Sequence, residues 1–137
     1  MKDDCIFCKL ANGVFATNTV YEDDRFRAIM DISPAAEGHC LVIPKEHFEN
    51  ALDADPEVYG DAMKVAAKVA KGVKKALGCD GINVIQNNGE AAGQTVFHCH
   101  IHIIPRWKED RIDFGYEHLE LTDAELAKTA DLISKSI

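Results

Sequence analysis

The sequence predicts an α+β domain: a mostly antiparallel sheet of about five strands, one long central helix and a second helix at the C-terminus. Three observations carry this expectation. Short β-forming runs fall in two groups on either side of one long amphipathic stretch, turn residues separate the runs, and the chain ends in a capped, helix-forming segment. Its 137 residues, 47% hydrophobic and 28% charged, match one globular domain with one core.

Taken in order, the runs from Val20 to Glu22 and from Phe26 to Met30 flank Asp23-Asp24-Arg25 and read as a hairpin. Residues 31–38 carry Pro34 and Gly38 and read as a loop. Cys40 to Ile43 is an apolar strand ended by Pro44. Asp55-Pro56-Glu57 combines a capping side chain, proline at the first helical position and an acid in the first turn. The helix it starts has Val58, Ala62, Val65, Val69, Val73 and Leu77 along one face, five lysines on the others, and Gly78 as its stop. Strands follow from Ile82 to Gln86 and from Phe97 to Ile104, and Thr122-Asp123-Ala124-Glu125 is a capping box that opens the last helix.

Charge and composition exclude several functions. A net charge of -8 argues against a nucleic-acid polymer as partner, because that affinity comes from clustered lysine and arginine. No apolar run nears the roughly 20 residues that span a bilayer, and Met1 to Cys5 lacks the apolar stretch of a signal peptide, so no membrane association is expected. The expectation is a cytoplasmic protein whose five cysteines are reduced thiols or metal ligands rather than disulfides.

The segment richest in chemistry is Gln94-Thr95-Val96-Phe97-His98-Cys99-His100-Ile101-His102. On a strand, alternation sends His98, His100 and His102 to one side, and Cys99, Ile101 and Ile103 to the other. Three readings fit: solvent-facing polar residues, three ligands of a hydrolytic zinc, or a catalytic row acting on a small ligand. The preceding loop, Asn87 to Thr95, offers glycines for close approach together with amide and hydroxyl donors, a set suited to phosphate. Separately, Cys5-x-x-Cys8 has the spacing of half a tetrahedral zinc site with no second such pair to complete it, which leaves histidines as the remaining ligands. Free thiols and a redox pair are the alternatives, the latter without support from a helix start in a βαβ unit.

His98 to Ile104 fits the pattern His-φ-His-φ-His-φ-φ, and with Cys5 to Leu10, Tyr21 to Arg25, Asp31 to Pro34, Gly38 to Lys45 and Gly93 to Thr95 the chain resembles the histidine triad (HIT) family from about residue 4 to 106. The resemblance implies a HIT-like fold over residues 1–137, with 107–137 as an extension beyond the triad. It implies that His100 attacks the α-phosphate of a purine nucleotide, a dinucleoside polyphosphate or a nucleoside phosphoramidate. A covalent nucleotidyl-histidine would form and release a nucleoside monophosphate. By the same resemblance His102, Thr95, Gly93 and Asn87 contact phosphate oxygens, and Gln94 and His39 lie near the scissile centre. Asp31 holds the ribose, and Ile6, Phe7, Leu10, Ile29 and Ile32 enclose the base. In a zinc-binding branch of the family, Cys5, Cys8, His47 and His98 would hold a structural zinc, making His98 a ligand rather than an acid or base. No organic cofactor is implied. Family members pair through the long helix and an edge strand, so a homodimer is expected. Where the compact phosphoramidase branch ends with Trp-Pro-Pro-Gly, this chain has Trp107-Lys108-Glu109-Asp110 and runs on, which leaves the leaving group undetermined. The rival function is a nucleotide-binding interaction or regulatory protein with incidental turnover.

Overall fold

The computed structural model describes residues 1–137. The elements run α1 (Ile6–Ala11), β1 (Thr19–Glu22), β2 (Phe26–Met30), β3 (Cys40–Pro44), α2 (Pro56–Leu77), β4 (Gly81–Ile85), a 3₁₀ turn (Glu90–Ala92), β5 (Ile101–Arg106) and α3 (Asp123–Ser134). The five strands form one sheet in the order β1-β2-β3-β5-β4, and every neighbouring pair is antiparallel.

The local chemistry explains the elements. Asp23 closes the first hairpin by accepting from the amides of Arg25 and Phe26, both at 2.8 Å. Asp55 caps α2 through the Glu57 amide at 2.8 Å, and Gly78 ends it in the left-handed conformation at φ 64°. One stripe of α2, Ala62, Val65, Ala66 and Val69, packs on the sheet face made by Phe26, Ala28, Cys40, Val42, Ile101 and Ile103. Leu77, expected at the end of that stripe, is 42% exposed. Its side chain reaches Gly38, whose φ of +96° and lack of a Cβ let the loop before β3 pass beneath it.

The opposite sheet face is covered by α1, whose Ala11 joins Ile29, Leu41 and Ile43, with Phe7 and Leu10 against them. This helix was not expected: six residues hold too few turns for a periodic signal, and its cap is the sulfur of Cys5, which accepts from the Cys8 amide at 3.3 Å. It lies in no βαβ unit.

The last strand also differs from the sequence reading. Phe97 to His100 lie outside the ladder, since the Cys99 amide bonds to Phe48 O at 2.8 Å, and β5 begins at Ile101 and extends through Arg106. Beyond it, Asp110 holds the Arg106 guanidinium by two bonds of 2.7 and 2.8 Å. From Asp113 to the C-terminus every residue is exposed. The expected capping box is present, with Thr122 and Glu125 bonded reciprocally, yet no residue of α3 is buried.

Candidate active site and metal centre

On the α1 side of the sheet a cavity of about 690 Å³ opens between α1, the segment before β1, the loop after β2 and the histidine row. All five residues expected around a base, Ile6, Phe7, Leu10, Ile29 and Ile32, line it, and so do Asp31, Thr95, His100 and His102. Sequence reasoning missed Ala16, Thr17, Asn18 and Met30, which line the same space from segments with no motif of their own.

The hydrogen bonds fix which nitrogen of each ring carries the proton. His100 Nδ1 lies 2.7 Å from the carbonyl oxygen of His98, which only accepts, so Nδ1–H donates and Nε2 keeps its lone pair. The edge of His100 meets the Phe7 ring, with centroids 4.8 Å apart. His39 Nδ1 accepts from the Ala35 amide at 3.0 Å, so the neutral ring is protonated at Nε2, which donates to His102 Nδ1 at 2.9 Å. That in turn leaves Nε2 as the protonated nitrogen of His102. A chain of two imidazoles thus transmits the direction of one backbone amide to a ring that lines the cavity.

Burial keeps these rings neutral. It pushes His102 down to about 4, aided by the neighbouring His100 and His39, and it holds His100 below its ordinary value despite the opposing pull of the His98 carbonyl and Asp31. His39 is lowered by burial against the attraction of Asp31. Asp31 itself accepts from the Ser33 amide at 2.8 Å and stands 3.5 Å from His39 Nε2. Asp31, His39 and His102 bring three donor atoms within 4.8 Å of one another, but the hydrogen bond between the two rings occupies that space.

Two expected phosphate residues, Asn87 and Gly93, are not among the residues that line this cavity but lie against each other in the loop before Thr95. A Cβ on Gly93, whose φ is +94°, would stand 3.6 Å from Asn87 Nδ2, so glycine there brings the loop backbone against the Asn87 amide. Gln94 turns inward instead of toward the scissile centre. Only 2% exposed, its oxygen accepts from Asn50 Nδ2 and the Gly89 amide, and its nitrogen donates to the carbonyls of Glu49 and Val96. With every polar atom engaged, it braces the loop.

His98 is also separated from its two companions. It is fully buried, and Nε2–H donates to Pro44 O at 2.8 Å, so the lone pair of Nδ1 faces the other way. There it meets Cys5 Sγ at 3.4 Å, Cys8 Sγ at 3.4 Å and His47 Nδ1 at 3.1 Å, and Cys8 Sγ lies 3.3 Å from His47 Nδ1. The expectation of a catalytic His98 is thereby corrected: both nitrogens are taken up away from the cavity. The three rings of the row do not converge on a point, which removes the geometry of a three-histidine hydrolytic zinc.

The four donors fit a tetrahedral ion. Bonds of about 2.3 Å to sulfur and about 2.0 Å to nitrogen make edges of roughly 3.3–3.8 Å between ligands, close to the separations here. Burial, aided by Cys5, raises the Cys8 thiol, and burial, aided by His47 and His100, presses His98 down to about 4. A divalent cation would reverse the first effect by stabilising thiolate, and would take the neutral imidazole as it stands. The carbonyl behind His98 is the outer partner that such ligands carry.

The chain matches the HIT domain over residues 12–109. Protein hit of Bacillus subtilis is 38% identical over 136 residues, covering 92% of this chain and 94% of that protein. The Arabidopsis thaliana adenylylsulfatase HINT3 is 40% identical over 110 residues, 80% of this chain and 56% of that one. Among solved structures, SMU.412c from Streptococcus mutans UA159 superimposes with a TM-score of 0.95 at 41% identity, over 99% of this chain and 87% of the other. A Zn-bound histidine triad family protein from Mycobacterium smegmatis does so with a TM-score of 0.77 at 36% identity, over 94% and 97%.

Proposed function

The chain belongs to the HIT family of histidine triad proteins, and from that membership we propose that it cleaves a purine nucleotide at its α-phosphate through a covalent bond to His100. The observation that carries the reading is the bond from His100 Nδ1 to the His98 carbonyl, which leaves the lone pair of Nε2 on a neutral ring that lines a cavity of about 690 Å³. In the first step Nε2 bonds to phosphorus as the bond from phosphorus to the leaving group breaks. The ring then carries positive charge while Nδ1 keeps its proton, and the His98 carbonyl stabilises that charge. Water next breaks the phosphorus–nitrogen bond, releasing nucleoside monophosphate and returning the ring to neutrality.

The supporting groups follow from position. His102 Nε2–H and the Thr95 hydroxyl donate to non-bridging phosphate oxygens, where charge grows in the transition state, with the Gly93 amide and Asn87 beside them. Asp31 accepts from ribose hydroxyls, and the base lies among Ile6, Phe7, Leu10, Ile29 and Ile32. Cys5, Cys8, His47 and His98 hold zinc in a closed four-coordinate site, which ties α1 to the histidine row. Two chains pair through α2 and an edge strand.

The leaving group is a second nucleotide, an amine or, as in the name of the Arabidopsis relative, sulfate. Purified protein offered a diadenosine polyphosphate, an adenosine phosphoramidate and adenylyl sulfate should release AMP from at least one. Acid-quenched reactions should show one adenylylated peptide containing His100, and His100→Ala should lose at least about 10³-fold in rate. Equal slow release by both proteins would favour a nucleotide-binding protein with incidental turnover.

A further inference from the structure

We propose that Asn50, in the connection from β3 to α2, is a positioning residue that acts through Gln94 on the loop leading to Thr95, a role that rests on the proposed binding of phosphate by that loop. Asn50 belongs to no motif, yet it is only 8% exposed. A carboxamide buried to that degree must find partners, and those partners say what it is for. Its Oδ1 accepts from the Leu52 amide at 2.9 Å, which turns Nδ2 toward Gln94 Oε1, at 3.1 Å. The turn that carries it is closed by Asp53, whose carboxylate accepts from the amides of Asn50 at 2.9 Å and Glu49 at 3.0 Å.

What Asn50 grips has few other ties. Apart from bonds to the adjacent Gln86, every hydrogen bond that leaves residues 87–97 ends on Glu49, Asn50 or Ala51. Four consecutive residues receive the loop in reverse order. Phe48 O accepts from the Cys99 amide at 2.8 Å, Glu49 O accepts from Gln94 Nε2 at 2.7 Å, Asn50 takes Gln94 Oε1, and the Ala51 amide donates to Asn88 Oδ1 at 2.7 Å. The Cys99 N–H and the His98 carbonyl belong to one peptide plane, and that carbonyl is the one that receives Nδ1–H of His100. Residues 48–51 thus hold the loop before Thr95 and the peptide that orients His100 in a single frame. Loosening that frame at Asn50 would let Thr95 shift relative to His100, and a displacement of about 1 Å costs on the order of 10²-fold in rate.

Calorimetric binding of AMP and of adenosine to Asn50→Asp and Asn50→Ala tests this. Aspartate keeps the size of the side chain and the acceptor for Leu52, but it sets a carboxylate oxygen against Gln94 Oε1. AMP should bind about tenfold more weakly to both variants, whereas adenosine, which lacks the phosphate, should bind within about twofold of wild type. Asn88→Ala loosens the other end of the loop and should give the same pattern, so the role stays testable if the Asn50 variants fold poorly. Asp55→Ala removes the cap of α2 and lowers stability without touching the loop, and it should change neither affinity. On whichever nucleotide the wild type cleaves, kcat of Asn50→Asp should fall about 10²-fold. An unchanged ratio of AMP to adenosine affinity in the Asn50 and Asn88 variants would overturn the positioning role and leave the proposed function standing. Parallel loss of both ligands would assign Asn50 to general stability and overturn it as well. Wild-type protein that binds neither ligand would remove the proposed function and this role together.

Discussion

His39 shows how far the influence of one side chain reaches in this site. It lines no part of the cavity, yet by accepting from the Ala35 amide and donating to His102 it decides which His102 nitrogen bears a proton. Replacing it with alanine should free the His102 ring to turn and should lower kcat by about 10²-fold with little change in KM, measured on whichever nucleotide is cleaved. The neutral rings also make stability depend on pH. His102 titrates near 4 in the folded chain and near its ordinary value once unfolded, so between those values the unfolded chain binds more protons. Stability should be complete above about pH 6.5 and fall as the pH drops toward 4, by on the order of 2 kcal/mol from His102 with His39 adding in the same direction, as read by denaturant melts. The alternation of three histidines was plain in the sequence. That they divide between two tasks was not, because the division depends on what Pro44 O and Cys8 Sγ offer to one ring of the three.

Among the elements, α2 could be read from its residues almost to the end, since cap, proline, stripe and glycine agree with one another. The hairpin was equally clear. The helix α1 was not, because a thiol is an unusual cap and six residues give no period to detect. β5 was read as starting too early for a related reason: Phe97 to His100 have strand-like composition, but a backbone bond to Phe48 from a distant segment takes Cys99 out of the ladder. This matters for function, since α1 carries Ile6, Phe7 and Leu10 to the cavity and is tied down by Cys5 and Cys8. Cys8→Ser, or a strong chelator applied to the wild type, should lower Tm by at least about 10 °C, in line with several kcal/mol of metal-linked folding energy. Exchange of the α1 amides should quicken before that of β3 or β5. Unchanged α1 exchange in the variant would show that apolar packing alone suffices there.

At the scale of the whole molecule the sheet divides the labour: one face packs on α2, and the other carries the cavity, the sulfur–nitrogen cluster and α1. The sequence made the first face legible through its periodicity, while the purpose of residues 113–137 was not legible, because a segment that buries no residue in its own chain leaves no intramolecular pattern to read. Cys5 and His98, whose side chains touch, are separated by 93 positions along the polypeptide. During synthesis at about 5–20 residues per second, the segment that carries Cys5 must therefore wait roughly 5–20 s for its anchor to be made. Until that anchor exists, the cavity has its sheet floor but lacks the wall that Ile6, Phe7 and Leu10 supply.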